Sequence, residues 1–281
     1  MCITIQNKTR RSHYAPPVID GVIDPAEWGR ASSWSVTVDA NLADGIRGGA
    51  NGDGAVNPPT SNDDLSFQVF VGYDTNNLYI AVRVKDDVIS TDSADADSAN
   101  GNTCMDDSVE VFSDGDNSNF ATRNTSDPEV VGTGGQFVIT ANNVYREMEA
   151  GNPGYGDSAP WFAKTTVTAT GYDAEFRISL QTIGNPKPGD IIGFTVGVND
   201  DDDGGGGERQ VMWVGLPHTE ATYGNLVIGS KSYSAPKTTA PTIDAVINPA
   251  EYAGATEIKV NSFTAVYDLG SGDDTFALRH K

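Results

Sequence analysis

Apolar and polar residues alternate with period two along most of the chain. The pattern is carried by Leu65–Val71, Leu78–Val84, Ser108–Phe112, Gln136–Thr140, Lys164–Thr170, Ala174–Ser179, Ile192–Val198 and Gln210–Val214. In Ala174–Ser179, Ala174, Phe176 and Ile178 share one face while Glu175 and Arg177 point the other way, as in a strand with one wet side. No segment holds a 3.6-residue period over a helix-sized window. Short strands punctuated by Gly, Asn, Asp and Pro predict an all-β, jelly-roll-like sandwich of two antiparallel sheets. Tyr73–Asn77 reads as a hairpin loop and Leu180–Gly184 as a turn. Asp44–Asp64, Asp86–Asp106 and Asp200–Gly207 are too polar and glycine-rich for a core, and read as loops. Tyr145–Phe162 reads as a further loop.

The chain also repeats itself. APPVIDGVIDPAEWGR at 15–30 returns as APTIDAVINPAEYAG at 240–254, and the segment 66–84 is echoed at 262–280. The predicted organisation is an N-terminal extension (1–14), a sandwich module (15–229), a linker (230–239) and a truncated second copy of the module (240–281). Residues 1–14 read as a leading stretch or a short extra strand, without the features of a signal peptide. In the second copy, Ser262–Asp268 alternates well enough to leave an unpaired edge. Docking on the module or strand exchange with another chain, giving a homo-oligomer, is the expectation for it.

Charge narrows the partners. The 281 residues carry 39 acidic and 18 basic side chains, a net charge of −21, and 29 of the acids are aspartate. Such a field repels phosphate backbones and anionic lipid heads, so neither nucleic acid nor a membrane surface is expected. Neutral ligands and cations suit it better. The two cysteines, Cys2 and Cys104, make neither a disulfide framework nor a zinc site; a single bridge and two thiols both remain open.

Calcium is the cofactor these residues suggest, because aspartates and backbone carbonyls of glycine-containing loops are hard oxygen ligands. Candidate ligands are Asp20 and Asp24, which recur as Asp244 and Asn248, and Asn199, Asp200 and Asp202 in the loop at 199–204; the loops at 92–100 and 114–119 are further candidates. Asp20 and Asp24 suit a local turn equally well. Flat rings stack on the C–H face of sugars, which makes Trp161, Tyr155 and Trp213 candidate ligand contacts. Glu110 alternates outward from Val109 and Val111 and can accept hydroxyl hydrogen bonds; Arg209 can donate them. Trp28, replaced by Tyr252 in the second copy, reads as structural, and Trp34 as packed. For catalysis the inventory is thin. The histidines are His13, His218 and His280, and no G-x-S-x-G, H-E-x-x-H or phosphate-loop motif occurs. A paired-carboxylate glycosidase stays open, with Glu110 and Glu175 the first pair to test.

The ordered motifs PVIDGVIDPAEW (17–28), NLYIAVRVKDD (77–87), DDSVEVFSD (106–114), GYDAEFRISL (171–180), IIGFTVGVNDDDDGGGGERQVMW (191–213) and YGNLVI (223–228) resemble the family 9 carbohydrate-binding modules. The resemblance implies a calcium-holding β-sandwich appended to secreted polysaccharide-degrading enzymes, gripping a sugar between two tryptophans. It also implies a secreted chain, with polysaccharide or oligosaccharide as partner. Glu110 matches the family's ligand-facing acid. The chain departs from the family at three places: Asn102–Asp106 and Val214–Thr222 lack the two tryptophans, and Val138 stands where an arginine is expected. Three readings follow: a noncatalytic carbohydrate-binding module, a glycosidase built on the sandwich, and a structural or assembly module that has lost its sugar site.

Overall fold

The computed structural model describes residues 16–37, 59–93, 103–119, 133–148, 150–151, 153–202 and 210–229, with the backbone of 2–5, 46–48 and 209. The predicted linker and second copy, and the side chain of Cys2, lie outside the described residues.

Two sheets face each other across one apolar core. The larger contains β1 (Cys2–Ile5), β13 (Gly224–Ile228), β11 (Ile191–Asp200), β6 (Ser108–Asp114), β7 (Gly134–Thr140) and β8 (Tyr145–Met148) in that order. β12 (Arg209–Met212) also pairs with β11, and β3 (Ile46–Gly48) with β12. The smaller sheet runs β2 (Ser32–Val36), β4 (Leu65–Tyr73), β5 (Asn77–Asp86), β10 (Gly171–Ser179), β9 (Trp161–Thr168). Pairing is antiparallel except between β1 and β13, which run parallel; the all-antiparallel expectation fails there because an N-terminal segment is added at the edge rather than turned through a hairpin. No described helix is long and apolar enough to cross a membrane.

Period-two alternation assigns the faces. Val109 and Val111 of β6, Phe137 and Ile139 of β7, and Val196 and Val198 of β11 point inward. They meet Leu78, Ile80, Val82 and Val84 of β5 and Ala174, Phe176 and Ile178 of β10. The loop predicted between β4 and β5 is closed by Asp74, whose Oδ1 accepts from Asn76 N and Asn77 N while Oδ2 accepts from the Tyr79 hydroxyl. The expected turn is a 3-10 turn, Leu180–Ile183, capped by Ser179 and ended by Gly184 at φ 80°.

Two expected loops contain strands. Tyr145–Met148, read as part of a loop because it lacks alternation, is β8, edge strand to β7 with Tyr145 opposite Ile139. Ile46–Gly48, inside the glycine-rich 44–64 stretch, is β3. Both are short edge strands, where backbone pairing outweighs side-chain pattern.

The outer face of the smaller sheet carries a strap, residues 16–31. In it Asp20 Oδ1 accepts from Val22 N. Asp24 caps the short helix α1 (Pro25–Trp28) by accepting from Ala26 N, with Pro25 opening the helix. Trp28 and Ile23 bury against Tyr79 and Ala81 of β5 in a second, smaller core.

Candidate functional site

The outer face of the larger sheet holds a cavity of about 170 Å³. Its floor comes from side chains one step out of phase with the core. Glu110 of β6 lies opposite Val138 of β7, and Val138 opposite Arg146 of β8. On the other flank Glu110 lies opposite Gly197 of β11, and Asn199 opposite Gln210 of β12. Glu110, Gln136, Val138, Arg146, Met148, Asn199 and Gln210 all border the cavity, with Thr103 and Cys104 on one wall and Pro217 and His218 on another.

Glu110 is only 2% exposed. Its Oε2 accepts from Gln136 Nε2 at 2.7 Å and its Oε1 from Asn199 Nδ2 at 2.7 Å, with Gln210 a third amide partner. Gly197 makes the third contact fit: a Cβ there would lie 2.7 Å from Met212 Sδ and 3.0 Å from Gln210 Nε2. Burial pushes the Glu110 carboxyl up, opposed by the three amides and by the charge of Arg146. The result is a desolvated acceptor held by neutral donors, with Arg146 bordering the same cavity. That arrangement can take hydroxyl donors and acceptors side by side.

His218 adopts φ 55° in the loop before β13 and packs its ring edge-on against Phe112 at 5.4 Å. The sequence offers His218 only as a loop histidine, and nothing in its neighbourhood marks it as a wall residue. Arg146 sits on β8, which carries no period-two signal, so the sequence does not mark it.

The aromatic candidates are not brought to Glu110. Trp161 is 1% exposed and packs against Phe137 at 5.2 Å, on the inner side of the larger sheet. Trp213 is buried too, against Trp34 at 4.7 Å, and lies over Gly224, where a Cβ would come within 2.7 Å of its ring. Neither offers a free ring face, because each closes the core where the two sheets meet. Tyr155 is half-buried, donates its hydroxyl to Ala163 O, and stacks on exposed Tyr145 at 3.4 Å. Arg209 lies on β12 opposite Asp200; its side chain lies outside the described residues.

Glu175 is fully buried under the strap, on the outer face of the smaller sheet. Its Oε2 accepts from Asp20 N and Gly21 N, and its Oε1 from Trp28 Nε1 at 2.6 Å. Burial pushes it up to about 7 against those three donors. Glu110 and Glu175 therefore sit on opposite outer faces with the core between them, and they are not the pair a glycosidase needs to flank one bond.

Acidic side chains gather at one end of the sandwich. Asp86 continues the core-facing row of β5, Asp107 that of β6 and Asp200 that of β11, so each row of apolar residues ends on a buried carboxylate. Their oxygens lie within 4.8 Å of one another. Two further triads, Asp64/Asp87/Asp202 and Asp92/Asp106/Asp201, meet the same criterion. The run Asp200-Asp201-Asp202 thus gives one carboxylate to each. Burial, with the charges of Asp202 and Asp87, pushes Asp86 up to about 7, and burial, with the charges of Asp86 and Asp200, pushes Asp107 up to about 9. Asp86 Oδ2 and the Tyr172 hydroxyl, both buried here, meet no hydrogen-bond partner. Buried like charges with an orphaned oxygen fit a hard cation. Of the predicted ligands, Asp200 and Asp202 belong to these triads, as do Asp201 and Asp92 of the loops read as candidates. Asp20 and Asp24 are not among them and accept backbone N–H groups in the turn and cap of the strap, and Asn199 Nδ2 donates to Glu110. The missed Asp86 and Asp107 had a visible signal: in β5, β6 and β11 an Asp stands at one end of the strand in the parity of its core face.

Residues 19–230 match the family described as carbohydrate family 9 binding domain-like. The chain is 32% identical over 189 residues to endo-1,4-beta-xylanase A of Thermotoga neapolitana and 31% identical to that of Thermotoga maritima. Those matches cover 66% of this chain and 14% of each xylanase. Among solved structures, a family 9 carbohydrate-binding module from Caldicellulosiruptor kristjanssonii in complex with cellotriose superposes with a TM-score of 0.54 at 20% identity, covering 86% of this chain and 99% of that one. A family 9 carbohydrate-binding module from the same organism in complex with glucose gives 0.54 at 22% identity, covering 83% and 98%. At these identities the likeness is one of fold.

Proposed function

The chain belongs to the carbohydrate family 9 binding domain-like family, and on that premise we propose that it binds a neutral oligosaccharide in the cavity over Glu110. The observation that carries this is the amide-held, desolvated Glu110 carboxylate, which shares a cavity of about 170 Å³ with Arg146. That volume is below the roughly 300–1,000 Å³ of pockets for drug-sized ligands, and suits one sugar ring with the rest of the chain outside. With Trp161 and Trp213 in the core, recognition rests on hydrogen bonds more than on stacking. Exposed Tyr145, backed by Tyr155, is the ring nearest in sequence to Arg146. The module would tether a secreted polysaccharide-degrading protein to its substrate.

Calcium belongs to the same reading. Asp86, Asp107 and Asp200 would hold one ion, and the two outer triads would hold others. A bound cation supplies positive charge that the buried carboxylates lack, and joins the two sheets, since Asp86 comes from one and Asp107 and Asp200 from the other.

Calorimetric titration with cellotriose and glucose, with xylan and cellulose retention beside it, tests the proposal. Saturable binding lost in Glu110→Ala and Arg146→Ala supports it. Binding that survives both substitutions, or no binding to any of the four, overturns it.

A further inference from the structure

The next step rests on that sugar-binding reading and concerns which ligand groups the cavity recognises. Gln136 borders the cavity and is 4% exposed. Its Nε2 donates to Glu110 Oε2. A carboxylate only accepts, so this contact fixes the orientation of the amide, with nitrogen toward Glu110 and oxygen away. The oxygen, Oε1, is buried and no protein donor reaches it. Asn199, by contrast, spends its Nδ2 on both Ser108 Oγ and Glu110 Oε1. The floor therefore contains two neighbouring acceptors on adjacent strands, Gln136 Oε1 and the remaining lone pair of Glu110. Leaving such an acceptor unmet is costly, and a ligand hydroxyl relieves it.

We infer that Gln136 Oε1 is a ligand acceptor, and that Gln136 and Glu110 together read two neighbouring hydroxyl groups of one neutral pyranose. A ring lacking either hydroxyl leaves a buried acceptor unpaired and is rejected, as in sites built to hydrogen-bond a substrate hydroxyl. Gln136 is then a specificity residue as well as the residue that positions Glu110.

The test compares glucose with its 1-, 2-, 3-, 4- and 6-deoxy analogues on the full chain with calcium present, in wild type and Gln136→Met. Wild type is expected to lose about tenfold in affinity for two analogues whose missing hydroxyls are neighbours on the ring. Gln136→Met is expected to bind glucose about tenfold more weakly and to stop discriminating one of those two, while Glu110 still rejects the other. A Met variant that keeps the whole wild-type pattern, weakened uniformly, overturns the inference and reduces Gln136 to a positioning residue. Unchanged glucose affinity in that variant also overturns it. If the variant does not fold, the wild-type Gln136 side-chain amide resonance decides: it shifts with glucose and not with one of the rejected analogues, or the inference fails. A wild type that binds neither glucose nor cellotriose overturns the sugar reading, and this inference with it.

Discussion

Glu110 and Glu175 make a natural comparison. Each lies on the outer face of a sheet, opposite an inward-facing apolar row, and each is buried. Each accepts three hydrogen bonds, yet the donors differ. Around Glu175 they are the backbone N–H groups of Asp20 and Gly21 and the indole of Trp28, all from the strap. Around Glu110 they are side-chain amides from neighbouring strands of its own sheet. A strap brings its own backbone and a Trp to cover the carboxylate, so no space is left. Amides from the sheet itself hold the carboxylate from the sides and leave the space above it open. The difference separates a structural anchor from a candidate binding floor.

The bond pattern around Arg83 reinforces the anchor. Arg83 forks onto Asp173 with Nε and Nη2, while Nη2 and Asp173 Oδ2 reach Ile23 O and Ile23 N of the strap. Bidentate pairing of this kind is directional as well as favourable. Glu175→Ala should then have the largest effect, leaving three donors unmet at about 1–3 kcal/mol each for those that stay dry. Differential scanning calorimetry should show a loss of about 3 kcal/mol or more. A loss under about 1 kcal/mol would mean that water replaces the carboxylate and that the strap is held by its apolar contacts.

Removing calcium comes next. A ligand bound to the folded state alone contributes about 2.7 kcal/mol at a hundred times its dissociation constant, so chelation should lower the melting temperature and readdition restore it. The pH dependence separates the two regions further. Without cation, the folded pKa values of Asp86, Asp107 and Glu175 lie above their unfolded ones, at about 7, 9 and 7. The folded state then holds more protons than the unfolded from roughly pH 4 upward, so the contribution of these groups is full below about pH 4. It is lost as pH rises through 7 to 9. With calcium bound, the Asp86 and Asp107 share of that slope disappears, because the ion replaces the protons. The Glu175 share stays. Identical pH–stability curves with and without calcium would remove the ion from the triad.

Glu110→Gln should do the reverse of Glu175→Ala. The Gln136 amide can turn over and accept, so the melting temperature should change little while sugar affinity falls about tenfold, as when a charge-assisted acceptor is lost. A large stability loss with unchanged binding would make Glu110 a second anchor. The smallest effect expected is that of Asp24→Ala, which deletes the cap of α1 and should cost about 1 kcal/mol without touching binding.

The eight period-two segments named the strands of the core, and their parity named the inward rows. The hairpin at Asp74, the turn at Leu180 and the turn-and-cap chemistry of Asp20 and Asp24 were local enough to read as well. A local pattern contains its own cause: an Asx turn or a cap closes within four residues of the side chain that makes it. The candidate site was legible only at Glu110, because alternation placed it outward. Arg146 and His218 were not, since one sits on an edge strand without alternation and the other in a loop whose path depends on β12 and β13.

What the sequence by itself determined, then, is which residues alternate, where the chain turns and which carboxylates end the core rows. Only the tertiary structure decided which outer face is covered and which is open. Period two assigns a residue to a face but says nothing of what lies above it. The strap closes over Glu175 from about 150 residues away in sequence, and the cavity over Glu110 is built from β6, β7, β8, β11 and β12 together. The same limit explains Trp161 and Trp213. A ring's type suggests stacking, but whether its face meets sugar or core depends on how the two sheets close, and here both rings are needed between them.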